Sequence, residues 1–180
     1  MDLAALAADI HGSGLAEWMR NTLRVLPVVE SVHMLALAVL FGTILIVDLR
    51  LLGVPGTQRA FSRISSELLP YTWWTFAASA ITGALLFTVN AITYYGNTAF
   101  RIKMLLLLLA GLNMLVFHRF TLRSIARWDT GQPEPAVRLA GALSLVIWVS
   151  VIVVGRWIGF TKGYDFGIPE GVEFDFTFTQ

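Results

Sequence analysis

Three histidines, His11, His33 and His118, stand out in this chain for their chemistry and their surroundings. His33 lies in an uncharged apolar stretch and His118 lies at the end of another. His11 sits beside the flexible Gly12-Ser13-Gly14. Cysteine is absent, which excludes disulfides, thiolate metal sites, iron–sulfur ligation and covalent c-type haem attachment. A neutral imidazole among apolar helices remains a good ligand for haem iron, and b-type haem needs no cysteine. On that reading His33 and His118 ligate iron, with His11 as a further candidate. Arg101, Lys103 and Arg156 gather at one end to neutralise propionates, and Gly42, Gly83 and Gly111 leave room for a ring. The plainer alternative is structural: His33 hydrogen-bonds Glu30 or a backbone carbonyl, and His118 is a boundary residue beside Arg119. No Ser/His/Asp set, zinc-spaced ligands or glycine-rich phosphate loop is present.

The elements that must position these residues follow from composition. The chain has 180 residues, 56% hydrophobic and only 14% charged, against about 25% charged in an ordinary soluble domain. A net charge of +1 without a basic run argues against nucleic acid as a partner. Charge-free stretches cover Ser31–Val47, Leu68–Phe100, Met104–Phe117 and Leu139–Gly155. A bilayer core needs about 20 mainly apolar helical residues. With their flanks these stretches predict four spans near 27–52, 71–94, 101–122 and 137–160, in one all-α domain. Pro27 suits a first helical turn, Gly53, Pro55 and Gly56 stop the first span, and Pro70 is expected to open the second. Loops 1 and 3 hold Arg50, Arg59, Arg63, Arg119, Arg123, Arg127 and Arg138, seven cations against six on the other side. The positive-inside rule then places those loops in the cytoplasm and both termini outside.

Residues 1–26 do not read as a signal peptide, because Asp2 and Asp9 stand where a positive region should be. Leu15, Trp18, Met19, Leu23 and Leu26 share one helical face opposite Glu17, Arg20, Asn21 and Arg24, which predicts an amphipathic helix on the membrane surface. A helix packed on the protein is the alternative. In the last twenty residues Phe174, Phe176 and Phe178 alternate with polar residues, a strand-like pattern that would need a partner. Asp48 and Arg50 fall on different helix faces, so each needs a partner elsewhere, such as Arg119 or Glu67. Gly155, Gly159 and Gly163 form small-xxx-small steps suited to homo-oligomer packing, most simply a dimer.

Depth constrains the haem arrangement. A first helix entering near Val28 puts His33 about 8 Å deep, and a third starting near Arg101 puts His118 about 25 Å deep. Their separation of roughly 17 Å suits two haems, one near each face, better than one haem held by both. His11 could complete the outer site. The inner one could be five-coordinate, use Met114 or borrow from a symmetry mate.

The residues Pro27-Val-Val-Glu-Ser-Val-His33, Phe41-Gly42 and Asp48-Leu-Arg50-Leu-Leu-Gly53, with Asn97-Thr-Ala-Phe100-Arg101-Ile-Lys103 and Gly111-Leu-Asn113 through His118, resemble a family of small, uncharacterised four-helix bacterial inner-membrane proteins. The resemblance spans roughly residues 15–160. More loosely, the arrangement is similar to four-helix b-type cytochromes. That likeness implies a haem b protein for transmembrane electron transfer, with quinone as a candidate partner. The competing expectation is a non-redox small transporter or a scaffold subunit of a membrane complex.

Overall fold

A computed structural model describes residues 3–54, 60–117, 119 and 125–161. All elements among them are helical: α1 (Leu3–His11), α2 (Gly14–Asn21), α3 (Val25–Leu52), α4 (Phe61–Val89), α5 (Ala91–Gly96), α6 (Thr98–Val116), α7 (Ile125–Trp128) and α8 (Pro135–Thr161). α3, α4, α6 and α8 are each long and apolar enough to cross a membrane. The shortest, the 19-residue α6, reaches about 28 Å against a hydrocarbon core of about 30 Å. A helix satisfies its backbone polar groups internally, as lipid requires. Leu35, Leu108 and Leu115 are each more than two-thirds exposed, on surfaces that suit lipid rather than water. The chain is a multi-pass helical membrane protein.

α3 packs against α4 and α8, and α6 against α8. The helices alternate in direction, so one face of the bundle carries α1, α2, α5 and the end of α8. We call this the terminal face, and the opposite one the loop face. α4 and α6 meet through aromatic rings near both ends: Phe87 stacks on Phe100 at 5.5 Å, and Phe61 meets Phe117 edge-on at 6.0 Å. At the loop face Leu51, Phe61, Phe117, Trp128 and Val137 form the buried apolar cluster.

The helix ends correct several expectations. Gly53 ends α3 with φ 85°, its N–H reaching the Arg50 carbonyl while Val54 N–H reaches Leu49. This is a left-handed cap that favours glycine. Pro70 does not open the second span; it lies inside α4, which starts at Phe61. The reason is a cap from a distant segment. The Asp129 carboxylate accepts from Ser62 N–H and Ser62 Oγ, both at 2.8 Å, and its carbonyl accepts from Phe61 N–H. Those contacts hold an early start even though Pro70 removes one helical donor. The span also ends sooner, at Val89, where Asn90 separates it from α5.

The N-terminal stretch forms two helices, with the Ser13 hydroxyl capping the second through Ala16 N–H. Ala16 and Met19 are buried, whereas Leu15, Trp18 and Leu23 are exposed. α2 therefore packs on α4 and α3 by a narrower face than the sequence pattern suggested, and offers Leu15 and Trp18 outward. Arg20, expected on the free polar face, instead donates to the His11 carbonyl at 3.0 Å and the Val89 carbonyl at 3.3 Å. It thereby caps the C-terminal ends of α1 and α4 together, where a cation is favoured. The strand pattern of Phe174–Phe178 lies outside the described residues.

Candidate functional site

Near the terminal face, α3 and α4 bring a histidine and a threonine together inside the bundle. His33 Nδ1 lies 2.9 Å from Thr82 Oγ1. The Thr82 hydroxyl donates to the Ala78 carbonyl at 2.7 Å, so toward His33 its oxygen can only accept. In the tautomer that this bond selects, Nδ1 carries the proton and Nε2 does not; the Ser79 backbone also bonds the ring. Glu30 does not hold the ring, but a backbone carbonyl does: Ser79 of the neighbouring helix bonds it beside Thr82, as the structural alternative expects.

Gly83 explains the close approach. A Cβ there would stand 3.2 Å from His33 Cε1, so α4 comes up against the imidazole because position 83 has no side chain. Lys103 of α6 completes the cluster. Its charge acts on His33, and its Nζ lies 3.7 Å from where a Gly155 Cβ would be. Among the described residues no carboxylate lies within ion-pair distance of Lys103. The bundle thus holds an imidazole within electrostatic reach of a cation that has no acidic partner among the described residues, a costly arrangement in a membrane that makes this the candidate site.

The other predicted site residues lie elsewhere. His11 meets Arg20 at 3.5 Å, and Arg20 is bonded to Val89, seven residues or about 10 Å along α4 beyond Thr82. His11 is therefore not a second ligand to His33 in this arrangement. Arg101 donates to the Tyr95 carbonyl at 2.9 Å and lies over the Tyr95 ring. Arg156 lies over the Phe160 ring. Only Lys103 of the three expected cations turns inward, because positions 101 and 156 sit on the exposed faces of α6 and α8. His118 lies outside the described residues.

The glycines divide in the same way. Gly42, Gly111 and Gly159 face open space, and Gly155 faces Lys103 rather than a helix; Gly163 lies outside the described residues. Asp48 and Arg50 do find partners on other segments, though not Arg119 or Glu67. Arg50 donates to the Asp129 carbonyl at 2.7 Å, Ser144 bonds the Asp48 carboxyl, and Glu67 pairs with Arg63 on its own helix.

Sequence reasoning missed Thr82, Ser144 and Asp129. A hydroxyl in an apolar run is a weak signal until the facing helix is known. The cluster and its bundle define a polytopic helical membrane protein with a polar site built between spans. Residues 25–161 match the model of a family of unknown function, DUF6644, and the chain belongs to that family. No curated protein and no solved structure matches the chain.

Proposed function

We propose that this protein binds b-type haem at His33 and carries electrons within the bilayer, with quinone as its redox partner. One observation carries the reading: Thr82 bonds His33 Nδ1, and in the Nδ1-protonated tautomer that leaves Nε2 to ligate iron. Iron-ligating histidines are commonly oriented in this way, the other ring N–H being held by a neighbouring acceptor. His33 would hold the iron. Lys103 would meet a propionate, and Gly83 admits the α4 backbone to the edge of the ring. Haem, when bound, supplies one-electron chemistry; the chain supplies the ligand, its orientation and the counter-charge. Among the described residues His33 is the histidine that would hold the group at this site.

An absorption spectrum tests it. Protein purified from cells with ample haem supply should show a sharp Soret band that shifts on reduction. A colourless preparation overturns the proposal and leaves a non-redox transporter or scaffold subunit.

The proposed setting is a bacterial inner membrane with the loop face in the cytoplasm, supported by the seven-to-six cation count. A reporter fused after Gln180 should then be active only in a periplasmic form. Activity of a cytoplasmic reporter would reverse the orientation. Self-association, with a dimer as its simplest form, belongs to the same reading, since Gly159 of the Gly155, Gly159 and Gly163 series has open space beside it.

A further inference from the structure

α3 buries a second ionisable side chain that the haem reading does not use. Asp48 is only 4% exposed and lies fifteen residues from His33, about 22 Å along the helix, toward the loop face. Ser144 of α8 bonds the carboxyl, while Oδ2 is buried with no hydrogen-bond partner. α8 can lie this close because Gly141 has no side chain: a Cβ there would stand 3.2 Å from the Asp48 carbonyl oxygen.

The charged groups around this carboxyl are engaged elsewhere or turned outward. Arg50 of α3 donates to the Asp129 carbonyl. Arg63 and Glu67 of α4 pair with each other in the exposed layer, as do Arg127 and Glu134. Arg119, beyond α6, and Arg138 of α8 are exposed. Among the described residues no cation lies within ion-pair distance of Asp48. A metal ion is a poor match. Hard cations take six or more oxygens, and no group of three metal-ligating side chains occurs among the described residues. A proton needs one free oxygen, and Oδ2 is that oxygen.

We propose that Asp48, held by Ser144 between α3 and α8, is a proton-binding site that exchanges with water at the loop face. The step is balanced: the carboxylate takes a proton from hydronium to give the carboxylic acid and water, and returns it by the reverse reaction. An ionisable group retained inside a membrane bundle is the feature from which proton relays are built. This site stands whether or not His33 holds haem.

The test is chemical labelling of the intact protein in mild detergent with dicyclohexylcarbodiimide. This apolar reagent reacts with protonated carboxyls shielded from water, adding the acid across a C=N bond so that the adduct keeps the whole reagent mass. Peptide mass mapping should place the adduct on Asp48. Its rate of formation should fall roughly tenfold per pH unit once the carboxyl ionises, as for any single titrating group. Asp48→Asn, which keeps the shape, should lose the label, and Ser144→Ala should shift the pH profile without abolishing it. Absence of label on Asp48 across the pH range overturns the proposal, as does a rate independent of pH. Should Asp48→Asn fail to fold, the pH series on the unaltered protein decides alone.

Discussion

His33→Ala is expected to abolish the Soret band of the purified protein while leaving its helical content and elution volume unchanged. The variant removes the one bare imidazole nitrogen of the cluster, and the loss strands little. Thr82 keeps its hydroxyl bond to Ala78, and its freed oxygen lone pair is an acceptor rather than a buried donor. A more searching change is Thr82→Val, which keeps the branched shape but withdraws the acceptor from Nδ1. With the tautomer no longer fixed, haem affinity should drop about 10- to 100-fold, the usual effect of losing an outer-shell partner, while the band survives at saturating haem. Lys103→Met should leave ligation intact and shift the midpoint potential, because it removes a positive charge close to the site. Haem titration by absorbance reads all three. An unchanged spectrum in His33→Ala would sink the haem proposal at this residue. Wild-type affinity in Thr82→Val would remove the orientation argument but not the ligand.

How much of this was legible in the sequence depends on the range of the interaction. The four spans follow from stretches in which charge is missing, and that signal is local; lipid demands it of each helix separately. The membrane helices accordingly begin and end within a few residues of the expected limits at α3 and α8. Pro70 misleads because its rule is also local, whereas the true start of α4 is set by Asp129, 67 residues from Ser62 in the chain. The same holds at the site. His33 is conspicuous as an imidazole in an apolar run, but Thr82 is one of several threonines on α4, and only the α3–α4 packing selects it. Depth alone groups Arg101 and Arg156 with Lys103. Rotation about the helix axis separates them, and a charge count does not record rotation. His11 was placed by the flexibility of its neighbours, yet α1 and Arg20 hold it near the end of α4.

The glycines show the same limit, and they lead to the second large effect. The sequence draws attention to the regular Gly155, Gly159 and Gly163 spacing, but among the described residues the tightest glycine is Gly141, which stands outside that series. An added Cβ at 141 would lie 2.8 Å from Leu51 Cβ and 3.2 Å from the Asp48 carbonyl oxygen. Neither atom is the free end of a side chain, so the α3–α8 seam itself must open. Gly141→Ala should therefore destabilise the folded protein by about 1–3 kcal/mol, the range for overpacking a close contact. Gly111→Ala is the matched comparison: nothing lies within 4 Å of its added methyl, and alanine gains about 0.5–1 kcal/mol of helix preference. Detergent-driven unfolding followed by circular dichroism should rank the three proteins Gly111→Ala, unaltered, Gly141→Ala from most to least stable. Equal midpoints for Gly141→Ala and the unaltered chain would mean that the seam is not close-packed. The consequence reaches the second site as well. Gly141 is what brings α8 over Asp48 and Ser144 within reach of its carboxyl, so opening the seam should admit water to Oδ2. In Gly141→Ala the pH profile of the carbodiimide adduct on Asp48 should then shift, while the haem band at His33, about 22 Å away along α3, should keep its position and intensity.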